Sequence, residues 1–372
     1  QFYFFFFIIF SNFGARFGPK LAKLQIYTII KRMRPFSSKK SVKMVITIAI
    51  IMLMSIASSA QNVWVSSHRT ARSKITDKTI QEKVEFLSDK VCEGRSTGTR
   101  GSFIASTWIS HHFENSRLLK INDTYFHRFA TAKGILGTNV IGFLPGGSKS
   151  ARNRYIIVGA HFDHLGTLDG KMYPGADANA SGTAALTHLA EMFGAMRKMG
   201  KILGSNIIFV AFDAKEHGMK GSEALWNLIE NGRLTNPLTR KRITAEDISL
   251  MVNIDQIGST LAPLKKNRKD YMIMLGTQSL DKADRNLLDI CNKVFGTGLD
   301  LSLDYYGSAN FTKIFYRLSD QRVFVDNKIP AVMFTSGITM NTNKTWDRPE
   351  SIDMEILKKR IHLIFHWVDR ML

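Results

Sequence analysis

The stretch YIIVGAHFDH (residues 155–164) begins with an unbroken apolar run and ends with His161, Asp163 and His164. Such a run is typical of a β-strand that is buried on both faces of a sheet. Three later stretches bring an acidic side chain to the same edge of the predicted sheet: PGADANASG (174–182), AFDAKEHG (211–218) and NIDQIG (253–258). Together the four stretches predict a polar site at the carboxyl ends of buried strands.

Strand and helix patterns alternate along the chain on both sides of this stretch. The predicted strands are Tyr125–Ala130, Thr138–Leu144, Tyr155–Ala160, Asn206–Phe212, Leu250–Ile254, Tyr271–Leu275 and Ala331–Phe334. The predicted helices are Thr79–Leu87, Phe103–Phe113, Ser181–Phe193, Ser222–Ile229, Asp284–Val294 and Ile352–Leu372. This alternation predicts an α/β fold, with a central, mostly parallel mixed sheet flanked by helices on both faces.

Four side chains at the predicted sheet edge have the chemistry of zinc ligands: His161, Asp177, Glu216 and Asp255. Imidazole and carboxylate ligands that leave one coordination position open are typical of hydrolytic zinc sites. Asp163 lies two residues after His161, where its carboxylate can accept the second imidazole proton and orient the ring. Taken singly, His161 could be a packed histidine and Asp177 a helix cap. The combination of the four favours a metal site.

The segment after Met33, the first methionine, has the three parts of a secretory signal peptide. A basic stretch precedes an apolar run over Met44–Ile56, and small side chains follow over Ala57–Ala60. Cleavage is predicted before Gln61, which makes the protein an exported one, in the periplasm, on the surface or outside the cell. An uncleaved membrane anchor is the alternative, which the shortness of the apolar run disfavours.

The sequence therefore divides into four predicted segments. Residues 1–32 are predicted not to belong to the normal product, residues 33–60 form the signal peptide, residues 61–75 are a polar lead-in, and residues 76–372 form one domain. Contact with a membrane is predicted only through the signal segment, in the case that it stays uncleaved.

The formal net charge of +20 raises the question of nucleic-acid binding. Residues 1–60 carry nine Lys or Arg and no Asp or Glu, so the rest of the chain carries +11. The remaining basic clusters, such as Lys265–Lys269, are separate from one another and lack interleaved aromatic side chains. Solvated surface explains them better than a groove that follows phosphates, and we expect no nucleic-acid partner.

In this order and context, the four stretches resemble metallopeptidase family 28, the two-zinc aminopeptidases, whose fold also serves glutaminyl cyclases and the inactive transferrin-receptor ectodomain. The resemblance extends from about residue 75 to residue 372. It includes FLSDKVCEGRSTGTRG (86–101), NVIGFLPG (139–146), Ser319-Asp320 and KIPAVMFTSG (328–337). It implies hydrolysis of peptide bonds, with a peptide or protein N-terminus as substrate or ligand.

The resemblance also implies the roles of single residues. One zinc ion would be held by His161, Asp177 and Asp255. The other would be held by Glu216, by the bridging Asp177 and by a late histidine, and Asn343 stands at the position of that histidine. A neutral amide oxygen is a weak donor, so the second zinc ion is predicted to bind poorly.

The chain departs from the family pattern at the general base, where Lys215 replaces a glutamate. A lysine beside metal cations is a poor base, because it must lose its proton to act as one. Thr342 and Ala178 replace a carbonyl-polarising tyrosine and an acid that are common in the family. We therefore expect a protein that keeps the fold and one zinc ion while its catalysis is lost or weak. An active exopeptidase that uses Asp213 or Asp347 as its base is the alternative.

Overall fold

The computed structural model describes residues 61–148, 151 and 153–372. Contacts divide the chain into two units, Gln1–Val63 and Trp64–Leu372, and the helices and strands named below lie in the second. The predicted signal segment, residues 33–60, lies outside the described residues. None of the described helices combines the length and the apolar composition that crossing a membrane requires.

The helices of the described residues alternate with strands from residue 155 onward. Besides the helical residues 64–72, the α-helices are α1 (Asp77–Ser88), α2 (Arg100–Asn115), α3 (Gly182–Lys198), α4 (Lys220–Glu230), α5 (Lys282–Val294), α6 (Ala309–Tyr316), α7 (Arg322–Asp326) and α8 (Met354–Met371). The strands are β1 (Leu119–Lys120), β2 (Phe126–Ala130), β3 (Leu136–Leu144), β4 (Tyr155–His161), β5 (Gly166–Leu168), β6 (Lys171–Tyr173), β7 (Asn206–Phe212), β8 (Ile248–Ile254), β9 (Tyr271–Leu275), β10 (Asp300–Ser302) and β11 (Ala331–Thr335).

Nine of the described strands form one mixed sheet. Its order is β1-β3-β7-β4-β8-β11-β9-β10, with β2 also paired to β3. The four central strands β7, β4, β8 and β11 run parallel, whereas β3 joins β7 and β9 joins β11 in antiparallel pairs. The predicted α/β fold with a central, mostly parallel mixed sheet is confirmed, and the antiparallel pairs lie toward its edges.

The central strands are mostly apolar because both of their faces are covered. Ile156 and Val158 of β4 belong to a core cluster that also contains residues of α1, α2, α3 and α8. Ile157, on the opposite face, belongs to a second cluster with residues of α4 and α7. All seven residues of β4 are buried, which places the end of this strand in a dry environment.

The strands Asn206–Phe212 and Tyr271–Leu275 have the predicted bounds, whereas most helices extend past theirs. Helix α8 instead begins later than predicted, at Met354, because the Asp353 side chain caps it by accepting from the backbone of Ile356. The short elements β1, β5, β6, β10, α6 and α7 had no counterpart in the sequence prediction. Residues 64–72, inside the predicted polar lead-in, are helical, and their His68 bonds Asp369 of α8.

Candidate functional site

The parallel strands bring three of the predicted site residues to one edge of the sheet. His161 is the last residue of β4 and pairs with Phe212, the last residue of β7. Asp213 therefore follows β7 directly, just as Asp255 follows β8. This is the edge of an open α/β sheet at which loops can form a ligand site.

His161 and Asp255 contact each other across this edge. The Nε2 atom of His161 lies 3.2 Å from Oδ1 of Asp255, and both residues are buried. Burial lowers the pKa of His161, but the Asp255 carboxylate outweighs it and raises that pKa to about 10. Burial in turn raises the pKa of Asp255, yet Lys215 and His161 hold it below its ordinary value.

Asp163 orients both His161 and the chain after β7. The Nδ1 atom of His161 lies 3.1 Å from the backbone carbonyl oxygen of Asp163 and 3.6 Å from its carboxylate. The carboxylate instead accepts hydrogen bonds from the backbone N–H groups of Lys215 and Glu216, both at 3.0 Å. The backbone carbonyl of Asp163 thus contacts the His161 ring, as was predicted for the carboxylate. The carboxylate instead holds the loop after β7.

Asp177 lies in a short helical turn that precedes α3. Its Oδ1 atom accepts hydrogen bonds from the backbone of Gly258 at 2.7 Å and of Ser259 at 3.1 Å, and from the Ser181 hydroxyl. Its buried Oδ2 atom has no hydrogen-bond partner among the described residues. Burial, together with the negative charge of Asp347, raises the pKa of Asp177 to about 7. A buried carboxylate oxygen without a hydrogen-bond partner is available to bind a ligand.

Asn179 is a site residue that the sequence analysis missed. Its side-chain nitrogen donates to the carbonyl oxygens of His161 at 3.2 Å and Ile254 at 2.9 Å, while its oxygen accepts from the backbone of Gln256 at 2.7 Å. One amide therefore joins the ends of β4 and β8. Its place in PGADANASG was the available signal, but an asparagine near a helix start also reads as an ordinary cap.

Arg95, in the loop after α1, was also missed. Its guanidinium is fully buried and donates to the carbonyl oxygens of Phe162 at 2.7 Å, Pro174 at 2.7 Å and Gly175 at 2.9 Å. These acceptors belong to the stretches that carry His161 and Asp177. Gly175 adopts a positive φ of 58°, and a Cβ atom there would lie 2.5 Å from the His164 ring.

Lys215 and Glu216 lie at the partly open side of the site. The Nζ atom of Lys215 is 3.0 Å from Oε1 of Glu216, and the two side chains are 22% and 20% exposed. Burial lowers the pKa of Lys215, but the carboxylates of Asp255 and Glu216 outweigh it and raise that pKa above its ordinary value. At neutral pH the Lys215 side chain is therefore a cation.

The two predicted substitute bases are engaged in structural hydrogen bonds. Asp213 accepts from the Thr97 hydroxyl at 2.8 Å and from the backbone of Thr138 at 2.9 Å, among others. Asp347 accepts from the backbone of Asp177 at 2.9 Å and of Ala178 at 3.1 Å. Both carboxylates are at most 1% exposed.

Asp320 is a further buried acid near the site. Neither of its carboxylate oxygens has a hydrogen-bond partner among the described residues, and the neighbouring Ser222 hydroxyl donates to a backbone carbonyl instead. Burial raises the pKa of Asp320 to about 7, although the charge of His161 opposes that shift. The sequence analysis noted the Ser319-Asp320 pair but gave it no role.

The late segment carries Asn343 at the position of the expected histidine ligand. This residue is exposed, has a positive φ of 60°, and its side chain has no hydrogen bond with the described residues. Thr342 is held nearby, because its hydroxyl accepts from the backbone of Thr339 at 3.1 Å and from the side chain of Gln256 at 3.3 Å.

The resemblance implies zinc, and the described side chains fit it only in part. Two ligands of one tetrahedral zinc ion lie about 3.3 Å apart, given zinc–ligand distances of about 2.0–2.1 Å. The 3.2 Å between His161 and Asp255 fits such a pair, and Asp177 has a free oxygen. Within the described residues, however, no group of three or more His, Cys, Asp or Glu side chains is arranged to hold a metal ion.

The profile of peptidase family M28 matches residues 139–368, which is more than half of the chain. The chain belongs to this family. The matched range contains every predicted metal position together with Lys215.

Solved structures with the same fold include aminopeptidases and a cyclase. The LapA aminopeptidase of Legionella pneumophila is 17% identical, with a TM-score of 0.61 over 82% of this chain and 74% of that chain. BSAP, a zinc aminopeptidase of Bacillus subtilis, is 11% identical, with a TM-score of 0.58 over 80% and 95%. The glutaminyl cyclase of Porphyromonas gingivalis is 15% identical, with a TM-score of 0.59 over 80% and 99%. At these identities the likeness establishes the fold.

Proposed function

We propose that this protein is an exported member of the M28 peptidases that binds peptide N-termini at one zinc ion and hydrolyses peptide bonds weakly or not at all. The observation that carries the proposal is the ion pair between Lys215 and Glu216, at the position where the family has its general base. A base must accept a proton from the attacking water, and a protonated lysine cannot do so.

The surroundings of Lys215 support this assignment. Three carboxylates, those of Asp255, Glu216 and Asp163, raise its pKa in spite of its burial. A lysine acts as a base only when its pKa falls toward the working pH, which requires burial without nearby anions. Here the anions are present, and the proton stays on the nitrogen.

The hydrogen bonds of Asp213 and Asp347 argue against the substitute bases considered from the sequence. Each carboxylate accepts bonds from backbone N–H groups of the site loops. Protonation during turnover would weaken those bonds, and both groups are buried away from the open side of the site. Neither is placed to receive a proton from a bound water and pass it to a leaving amine.

Asp320 supports a second candidate function, that of an active exopeptidase in which Asp320 acts as the general base. Its carboxylate is buried, has a pKa raised to about 7 and has no hydrogen-bond partner among the described residues. A carboxylate with a raised pKa is a usual feature of general bases. Replacing it by the isosteric amide in D320N tests this candidate directly.

The proposed zinc ion would be held by His161, Asp177 and Asp255, where it would act as a Lewis acid toward the neutral α-amine and the carbonyl oxygen of a bound peptide. The partly exposed Lys215 and Glu216 side chains, 22% and 20% exposed, mark the side from which a peptide would enter.

The test combines two measurements on the purified protein: zinc content per chain, and hydrolysis of a panel of aminoacyl chromogenic substrates. The proposal expects about one zinc ion and no turnover above that of the EDTA-treated sample. Turnover at ordinary aminopeptidase rates would contradict it. In that case, loss of the turnover in D320N, with the exposed Asp326→Asn variant as control, would establish the second candidate.

Export is tested separately by N-terminal sequencing of the protein recovered outside the cytoplasm. The proposal expects a mature N-terminus at Gln61, as the small residues before it predict. Recovery only in the cytoplasm with the segment intact would reject export and leave the proposed chemistry untouched.

A further inference from the structure

Buried carboxylates are concentrated around the ends of β4, β7 and β8. Asp163, Asp177 and Asp255 are each at most 5% exposed, and Glu216 lies beside them in the partly open part of the site. Several negative charges in a poorly hydrated place need positive charge nearby, or they destabilise the fold. In a two-zinc site the ions supply that charge.

The Lys215 ammonium lies among these carboxylates and not in bulk solvent. Its Nζ atom contacts Oε1 of Glu216 at 3.0 Å, and its side chain is only 22% exposed. Asp255, Glu216 and Asp163, from three different stretches of the sequence, all stabilise its charge. A lysine that pointed away from the site would not interact with all three.

The backbone around Lys215 is fixed by hydrogen bonds on both sides of the residue. Ala214 before it adopts a positive φ of 59°, and the backbone N–H of Lys215 is held by Asp163 at 3.0 Å. The backbone N–H groups of Gly218 and Met219 both bond the carbonyl of Lys215 at 3.0 Å. These hydrogen bonds fix the backbone on both sides of Lys215 and involve only groups of the protein.

The remaining donors of the second metal position are a neutral amide, that of Asn343, and a carboxylate that is already paired, that of Glu216. Asn343 is exposed and its side chain has no hydrogen bond with the described residues. Glu216, the other ligand of that position, has its Oε1 atom in the ion pair with Lys215. A divalent ion placed there would have to break this ion pair and lie close to a second cation.

We propose that the Lys215 ammonium is a built-in cation that replaces the second metal ion, holds Glu216 in place and limits the site to at most one divalent ion. The inference rests on the assignment of this site in the proposed function. It adds that the site stays assembled without metal, because part of its charge is balanced by the chain itself.

The first experiment measures zinc per chain after equilibrium dialysis of the full-length protein, and the thermal midpoint with saturating zinc and with EDTA. The wild type is expected to bind no more than one zinc ion. The K215M variant is expected to have a midpoint in EDTA several degrees below that of the wild type, and zinc should recover most of this loss. The conservative K215R variant should keep both the wild-type midpoint in EDTA and its zinc content.

The matched control is K220M. Lys220 lies five residues further along the chain and also pairs with a carboxylate, Glu223 at 2.5 Å, but on helix α4 and outside the site. Its removal should leave both the zinc content and the zinc-dependent gain in midpoint unchanged. A zinc-dependent gain in K220M as large as that in K215M would show that the effect is not specific to the site.

The second experiment restores the donors with K215E/N343H. This variant is expected to bind one more zinc ion than the wild type. Two zinc ions in the wild type, or a K215M protein as stable in EDTA as the wild type, would overturn the inference. If K215M does not fold, the zinc content of the wild type and the zinc content and thermal midpoint of K215R still test the inference.

The outcomes also separate this inference from the proposed function. Two zinc ions without turnover would reject the built-in cation and leave the weak or absent hydrolysis standing. Turnover with one zinc ion or none would reject the proposed function and leave the built-in cation standing.

Discussion

The Asp347 carboxylate accepts a hydrogen bond from the backbone N–H of Asp177 at 2.9 Å, across 170 residues of chain. Its second oxygen accepts from the backbone of Ala178 at 3.1 Å. The late segment therefore contributes to the site by shaping the turn that carries Asp177. This contact gives Asp347 a structural role that its sequence position did not reveal.

Replacing Asp347 by alanine should lower the free energy of unfolding by about 3 kcal/mol, because two buried backbone N–H groups lose a charged acceptor. Urea denaturation measures the change. Asp326→Ala is the control, since Asp326 forms an exposed ion pair with Arg317 at 2.8 Å and should contribute less than about 1 kcal/mol. Equal losses in both variants would contradict the role assigned to Asp347.

Arg95→Met should destabilise the protein by about 3–5 kcal/mol, because it leaves several buried carbonyl oxygens without a donor. The same variant should bind zinc more weakly, since Phe162 and Gly175 lie next to His161 and Asp177 in the chain. Denaturation and zinc titration check the two effects. Arg100→Met, whose exposed guanidinium is 3.5 Å from Glu93, is the control and should change neither.

The stability should fall in acid, partly because of His366 on α8. Its ring stacks on Phe295 at 3.6 Å, and burial lowers its pKa to about 3. Between pH 6.5 and 3 the unfolded chain binds a proton that the folded protein does not, so the free energy of unfolding falls as pH falls.

His366→Phe keeps the stacking and removes the titration, and should therefore reduce the acid-induced loss at pH 4 by about 2–3 kcal/mol. Denaturation curves at pH 7 and pH 4 give the difference. His362 and His188, whose pKa values are lowered to about 4 in each case, remain and keep part of the acid dependence. The exposed His111→Phe serves as control, and an unchanged pH dependence in His366→Phe would reject the assignment.

The K215E/N343H variant should raise kcat/KM for an aminoacyl chromogenic substrate at least about a hundredfold over the wild type in the presence of zinc, because a positioned base contributes about two to four decades. N343H alone should gain much less, since it leaves the lysine at the base position. A wild type that is already fast, and that slows in the double variant, would contradict the proposed function.

Much of the fold was predictable because it follows from local pattern. The run at Asn206–Phe212 is apolar after its first residue and the run at Tyr271–Leu275 is apolar throughout, a pattern typical of a strand covered on both faces. The order of the elements then implied parallel strands whose carboxyl ends meet. Short elements such as α6 and β10 escaped prediction because too few residues carry their periodicity.

The candidate site was also predictable only in part from the sequence. The positions of His161 and Asp255 at strand ends, and the departure at Lys215, could be read from motifs, since each depends on neighbours in the sequence. Other contacts of the site could not be predicted from motifs. They are the hydrogen bonds of Asn179 and Arg95 to backbone carbonyls, and those that Asp213 and Asp347 accept from backbone N–H groups. They are contacts between residues far apart in the chain, and a carboxylate in a motif looks the same whether its oxygens are free or already bonded. Only packing the loops against one another determines which buried acids remain free to do chemistry.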